Sequence, residues 1–369
     1  MKFLNFPFQK NISILALGAE SAGNFTAYKN GNIFLSDNLG DLLNEQNFFN
    51  YQKKLQEFIK KNKFKPDYII CDLHPFYQTT KLAQKLSKKY KIPLYPVQHH
   101  LAHIYAAYGE SILYKKNFNK SSRFLGIASD GTGYGLDGKI WGGEVFLIDF
   151  KNIKRVGRLE NQLMIGGDLA IKEPARMVIS ILFKFLDRKK IYSYISSCYS
   201  HKEFELLINQ LEMKFNCVET SSTARVLDAI AFILGFIRNQ RIYKHQPIEK
   251  LEKNSSKSYY KINPQIKYNK KEKLYIILTT PLFKFLLKNI NKNKKKLATT
   301  AQIYLAKGFY LVSQKYYSTH NYLGGGMSKN KIISDFLIKR NFVINKKIPL
   351  GDAGISFGQL VYFLTNTGD

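Results

Sequence analysis

Short β-rich runs alternate with longer stretches of helical spacing along this chain, and the whole alternation occurs twice. Residues 12–17 are apolar and β-rich, 18–24 are small and polar, and 25–28 resume strand character before a turn at Asn30 and Gly31. A third strand is predicted at 33–36. Residues 42–60 have helical spacing, with Phe48, Phe49, Leu55, Phe58 and Ile59 on one side. A strand at 68–71, a helix over 81–89, a strand at 94–97 and a helix from His99 to about Tyr108 complete a first α/β unit.

A second unit restarts at Arg123. Residues 124–128 form an apolar strand that ends in a Gly-rich turn, and 140–150 form another strand. Gly166, Gly167 and Asp168 precede a long amphipathic helix containing Met177, Ile179, Ile181, Leu182 and Phe185. Helices follow at 202–213 and 222–238. Residues 243–273 are polar and rich in Lys and Asn, which predicts an insertion or mobile loop. A helix at 299–317 leads to Gly324, Gly325 and Gly326, a further helix, a strand at 342–344 and a last helix after Gly351 and Asp352. The doubled pattern predicts two α/β lobes facing a cleft. Residues 1–120 form the N-terminal lobe with the histidines, and 121–369 the C-terminal lobe with the Gly-rich turns. Ligands of open α/β sheets bind at the carboxyl ends of strands, where these turns fall. No strong sequence repeat accompanies the doubling.

A length of 369 residues suits two lobes better than one core, and 45% hydrophobic residues imply packed structure rather than disorder. The chain has neither an apolar run of about 18 residues nor an apolar leader with a small-residue cleavage site, so a cytoplasmic protein with no membrane partner is expected. Cys71, Cys198 and Cys217 lie far apart with no C-x-x-C pair, which argues against a disulfide framework and a cysteine zinc ribbon. The net charge of +30 invites a nucleic-acid partner. The lysines, however, are scattered among Asn, Ile, Phe and Tyr, all encoded by A/T-rich codons, so genome composition accounts for the charge. Nucleic acid is not an expected partner, although nucleotide phosphates would benefit from the field.

The sharpest chemical signal is Gln98-His99-His100-Leu101-Ala102-His103. On a helix His99 and His103 lie one turn apart on one face and can share a metal. Three buried histidines making ordinary hydrogen bonds account for the spacing equally well. His100 points away from that face, with the cleft one destination open to it. Asp130 and Asp352 could complete a metal set, although each alone reads as a cap or Asx turn. Two His with two Asp would suit Fe or Zn. Clusters at 131–135, 142–143, 166–167 and 324–326 are candidate phosphate cradles, yet none matches a P-loop or a dinucleotide fingerprint. Arg225 and Asp228 share a helix face, as a surface ion pair or as a ribose or phosphate contact.

Several motifs together resemble the C-terminal carbamoyltransferase part of the hydrogenase-maturation HypF family, in order and from about Leu15 to Leu364. They are Asp72-Leu73-His74-Pro75, the 97–103 segment, Asp130-Gly131-Thr132-Gly133-Tyr134-Gly135, Ile140-Trp141-Gly142-Gly143-Glu144, 166–168 with 173–177, 220–228 and 351–359. The resemblance implies a two-lobed actin/sugar-kinase-like ATPase fold with a nucleotide cleft between the lobes, shared with tRNA threonylcarbamoyl-transfer enzymes. It implies Fe or Zn on His99, His103, Asp130 and Asp352. It places ATP, AMP or carbamoyl-adenylate near Gly133, Gly167, Asp168, Asp228, Gly325, Gly326 and Asn330. The implied reaction moves a carbamoyl group from carbamoyl-adenylate to a thiol or hydroxyl, with a HypE-like protein or a small molecule as acceptor. The acylphosphatase, cysteine zinc and adenylate-forming parts of full-length HypF have no counterpart in this sequence, so a separate carbamoyl-adenylate-forming protein is expected. The family's usual Leu-Lys-Asn-Thr is here Ser21-Ala22-Gly23-Asn24, and Tyr-Glu-Gly-Gln is Tyr243-Lys244-His245-Gln246. Likewise Phe-His is Ile303-Tyr304, and Ser-Gly-Gly is Gly324-Gly325-Gly326. These departures leave open a non-catalytic remnant or assembly partner, and the basic charge leaves open a tRNA threonylcarbamoyl-type transferase.

Overall fold

The computed structural model describes residues 2–7, 9–114, 123–149 and 152–367. The first sheet draws on β1 (Lys2–Asn5), β2 (Ser13–Ala16), β3 (Thr26–Lys29) and β4 (Asn32–Leu35). After helix α1 (Glu45–Lys61) come β5 (Tyr68–Asp72), α2 (Gln78–Tyr90), β6 (Leu94–Val97) and α3 (His99–Tyr114). Its order is β1-β4-β3-β2-β5-β6; β3 runs antiparallel to both neighbours, while β2, β5 and β6 are parallel. Every residue of β2 is buried, the expected state of a central strand covered on both faces.

The second sheet begins with β7 (Arg123–Tyr134), β8 (Ile140–Asp149), β9 (Asn152–Leu159) and β10 (Gln162–Ile165). A helical layer follows, with α4 (Leu169–Lys172), α5 (Pro174–Leu182), α6 (Arg188–Ile195) and α7 (His201–Glu212). The chain continues through β11 (Cys217–Thr220), α8 (Thr223–Ile233), α9 (Gln246–Lys253), β12 (Ile266–Asn269), β13 (Leu274–Ile277), α10 (Thr280–Lys288) and α11 (Lys294–Ser313). It ends with β14 (His320–Gly324), α12 (Lys331–Ile338), β15 (Phe342–Val343) and α13 (Ile355–Asn366). Within this sheet the run β9-β8-β7-β14-β15 repeats the order and directions of β4-β3-β2-β5-β6, with β8 antiparallel to both neighbours and β7, β14 and β15 parallel. The topology is therefore duplicated, giving the two-lobed α/β architecture.

Helices α3 and α13 lie between the sheets. Their apolar residues share one core with Ile14, Tyr28 and Ile70 of the first sheet and Phe124, Phe146 and Tyr322 of the second. The last helix thus crosses back to the first sheet. The expected boundary at residue 120 lies outside the described residues.

Several elements differ from the sequence expectations. Phe49 is 59% exposed, and the buried face of α1 uses Tyr51 instead, whose hydroxyl donates to the Leu17 carbonyl at 2.8 Å. The helix expected after Asp168 is broken into α4 and α5 at Pro174, which cannot donate a helical N–H. The Gly-rich segment after Ala128 is no turn. It stays within β7 and shifts register against β8 between Ser129 and Gly133, a bulge that re-aims the side chains there.

Residues 243–273 are not a mobile loop. Helix α9 buries Pro247, Ile248 and Leu251 in the second lobe's core. The backbone N–H groups of Ser256, Tyr260 and Gln265 donate to Thr299, Thr300 and Tyr304 on α11, and β12 pairs with β13. The lysines hide a sparse but sufficient apolar stripe. Leu251→Ala is therefore expected to destabilise the protein by about 2–5 kcal/mol, as for a buried leucine. Thermal unfolding of the variant checks this, and an unchanged Tm would return the segment to the loop reading.

Candidate metal centre and nucleotide cleft

The site starts at the junction of β6 and α3. Gln98 caps the helix, its Oε1 accepting from the backbone N–H of His100 at 2.7 Å and of Leu101 at 3.0 Å. Helical spacing then sets His99 and His103 edge to face, with ring centroids 4.8 Å apart and the rings nearly perpendicular. Asp72, at the carboxyl end of the adjacent strand β5, takes the Nδ1 of His99 at 2.7 Å and fixes that ring. Its other oxygen accepts from the His74 backbone N–H at 2.9 Å.

The second lobe supplies Asp130 from the bulge in β7. Its Oδ1 accepts from the Gly326 N–H at 2.8 Å, which leaves Oδ2 at 3.4 Å from the Nε2 atoms of both His99 and His103. Asp352 arrives on a short 3-10 helix, Gly351–Gly354, at the start of α13. Its Oδ1 lies 3.9 Å from His99 Nε2 and 3.5 Å from His103 Nε2, and its Oδ2 accepts from the Ser21 hydroxyl. Gly325 (φ +93°) makes the approach to Asp130 possible, since a Cβ there would collide with the Ser129 carbonyl oxygen.

The ligand atoms of His99, His103, Asp130 and Asp352 all lie within 4.8 Å of one another. The Nε2 atoms of both histidines are buried, and their contacts to the carboxylates lack hydrogen-bond alignment, so neither has a hydrogen-bond partner among the described residues. Nitrogen and oxygen donors that converge without satisfying each other fit a divalent cation such as zinc or iron. Electrostatics agree. Burial opposes ionisation of Asp130, yet His103 and His99 outweigh it and hold the carboxyl well below its usual range. Burial pushes His99 down, but Asp72 and Asp130 hold its pKa well above the ordinary value. His103 is raised in the same way, against burial, chiefly by Asp130.

The expected nucleotide positions are more dispersed. Gly325 and Gly326 border the metal centre through Asp130, and Gly133 lies against the ring of His100. Gly167 (φ +57°) and the exposed Asp168 form the turn between β10 and α4. Asp228 is not in a surface pair: it is buried on α8, 2.6 Å from Arg225, with Arg241 at 3.9 Å. Asn330 caps α12, accepting from the Ile333 N–H at 3.0 Å and donating to Gln302 at 2.7 Å. These contacts of Asp228 and Asn330 lie within the second lobe. Tyr304 donates to the Leu278 carbonyl at 2.7 Å inside the core. Sequence reasoning missed Asp72 and Ser21 as supports of the ligands. The position of Asp72 at a strand's carboxyl end was the available signal.

Residues 126–359 match the family described as carbamoyltransferase, Kae1-like domain, second subdomain, and residues 9–110 match the HypF Kae1-like domain. The chain is 38% identical to a protein named probable carbamoyltransferase HypF from Methanocaldococcus jannaschii, over 97% of this chain and 47% of that protein. It superposes on T. kodakarensis HypF with a TM-score of 0.85 and 30% identity, covering 98% of this chain and 49% of the other. A full-length HypF solved in a phosphate- and nucleotide-bound form gives a TM-score of 0.86 at 26% identity, with 98% and 57% covered. The chain spans about half the length of the relatives it matches.

Two outcomes follow from the geometry. Asp72→Ala should weaken metal affinity by about 10–100-fold, the usual cost of losing the carboxylate behind a ligating histidine, whereas His103→Ala should abolish stoichiometric binding. Competition with a chelator separates the two, and an unaffected Asp72→Ala would remove the aspartate from the site. Because His99 and His103 keep their protons to higher pH than ordinary histidines, a metal must displace them. Affinity should therefore rise with pH and loading should release protons, as titration in buffers of different ionisation enthalpy would show. Affinity independent of pH contradicts this.

Proposed function

Because the chain belongs to the HypF Kae1-like carbamoyltransferase family, we propose that its cleft moves a carbamoyl group from carbamoyl-adenylate to a thiol or hydroxyl acceptor. The converging donor set of His99, His103, Asp130 and Asp352, with its two buried and unpartnered histidine Nε2 atoms, carries this reading. These four residues would hold Fe or Zn. When bound, the ion supplies Lewis acidity, stabilising negative charge on a carbamoyl or phosphoryl oxygen.

The protein's own contribution is positioning. Asp72 holds the Nδ1–H of His99, so that Nε2 faces the cluster and offers its lone pair once a metal displaces its proton. Ser21 and the Gly326 N–H each hold one oxygen of a ligating carboxylate and turn the other inward. Asp168, exposed on its turn, would accept from a ribose hydroxyl. In the reaction the acceptor's sulfur or oxygen attacks the carbamoyl carbon and gives up its proton. The bond from that carbon to the phosphate oxygen breaks, and AMP leaves. A HypE-like protein or a small molecule would be the acceptor, and an adenylate-forming activity would supply the carbamoyl-adenylate.

A second reading, a remnant that keeps the fold without the chemistry, draws on Tyr304, whose hydroxyl is committed to the core. The test is AMP release and acceptor carbamoylation from enzymatically generated carbamoyl-adenylate, followed by mass spectrometry on metal-loaded protein. Turnover should fall by at least about a hundredfold on metal removal or in His103→Ala. Metal-loaded protein that binds no nucleotide and yields no carbamoylated product would favour the remnant.

A further inference from the structure

His100 sits between two proposed ligands on α3 and points elsewhere, and its hydrogen bonds determine its chemical form. The Oε1 of Gln98 is committed to the backbone N–H groups of His100 and Leu101. That orientation leaves the Gln98 amide nitrogen as a donor, 3.1 Å from the Tyr134 carbonyl and 2.9 Å from His100 Nδ1. An amide NH₂ has no acceptor capacity, so His100 Nδ1 must accept. The ring is therefore the neutral tautomer with its proton on Nε2. This Nε2–H is buried and has no hydrogen-bond partner among the described residues.

Its surroundings tie it to the reaction cleft. The ring packs against Gly133, where any Cβ would strike it, and Gly133 ends the bulge that presents Asp130. The ring centroid is 5.6 Å from that of His99 and 6.2 Å from Trp141. Trp141 is itself fixed by Arg155, 3.8 Å above its ring, and by Asp137 at 2.8 Å from its Nε1. Arg155 is held in turn by the buried Glu144 at 2.5 Å. A donor that rigid costs free energy unless an acceptor meets it. A base or nucleophile is excluded, because the only free position carries a proton.

We propose that His100 is a fixed neutral hydrogen-bond donor whose Nε2–H holds the carbamoyl carbonyl oxygen of the acyl donor beside the metal cluster. The inference rests on the carbamoyl-transfer reading above. It separates binding of the reacting group from binding of the nucleotide: AMP lacks the carbamoyl group, and a stable carbamoyl-adenylate analogue carries it.

The experiment is calorimetric titration of the metal-loaded chain, His100→Ala and His100→Gln with AMP and with that analogue. Long-range ¹⁵N NMR of the histidine rings in the unsubstituted protein accompanies it. The analogue should bind about tenfold more weakly to His100→Ala, the scale of one hydrogen bond, with AMP affinity unchanged. His100→Gln, which restores an N–H at similar reach, should recover part of the loss. NMR should show the Nε2–H form of His100. Equal weakening for both ligands, no change for the analogue, or a proton on Nδ1 would each overturn the proposal; no change would mean the donor serves a buried water only. If the unsubstituted chain binds neither ligand, the carbamoyl-transfer reading itself has failed, and NMR then decides the tautomer alone. A misfolded His100→Ala leaves His100→Gln and the NMR to decide.

Discussion

Burying Asp72 and Asp130 beside two imidazoles, with Asp352 partly covered at the same cluster, is the constraint on which the rest of this structure depends. Carboxylates taken out of water are costly unless opposite charge and hydrogen bonds compensate them. Asp72 is compensated by His99 Nδ1 and the His74 N–H, Asp130 by the Gly326 N–H, and Asp352 by Ser21. One side of the cluster is left uncompensated: the facing Nε2 atoms and the inward oxygens of Asp130 and Asp352. A divalent cation there would balance the two inward carboxylates with both histidines neutral. Without one, the same histidines take up protons, as their raised pKa values indicate.

The duplicated fold explains how such a cluster is assembled. Each lobe presents the carboxyl end of a parallel strand to the cleft: β5 delivers Asp72 in one, and β7 delivers Asp130 through its bulge in the other. Helix α3, buried between the sheets, carries the histidine pair, and α13 crosses back so that Asp352 arrives from near the end of the chain. No single lobe contains the whole set. Relative movement of the lobes therefore couples to metal geometry, and the shared apolar core around α3 and α13 limits that movement.

The local parts of this arrangement were legible in the sequence and the assembled parts were not. His99 and His103 could be paired because a helix fixes their spacing. Asp130 and Asp352 looked like ordinary turn residues, since only the tertiary fold brings them to the same nitrogens. The segment 131–135 carries the same glycines whether it turns or bulges, and its pairing with β8 decides which. The lysines of 243–273 mask the burial of Ile248 and Leu251, and Phe49 shows the reverse error, an apolar residue at helical spacing left in solvent. The pairing of Arg225 with Asp228 was visible in their spacing, whereas their burial was not. In the first lobe the elements from β2 to the start of α3 were read to within a few residues, whereas β1 (Lys2–Asn5) was not anticipated and α3 runs on to Tyr114.

The central claim is that one metal ion is held by two histidines and two carboxylates from both lobes. X-ray absorption spectroscopy of the chain loaded with zinc or iron tests it most directly. The expected spectrum has a first shell of nitrogen and oxygen only, with outer-shell scattering from two imidazole rings. Sulfur in the first shell, or scattering from no imidazole or from one alone, would contradict a site built on His99 and His103.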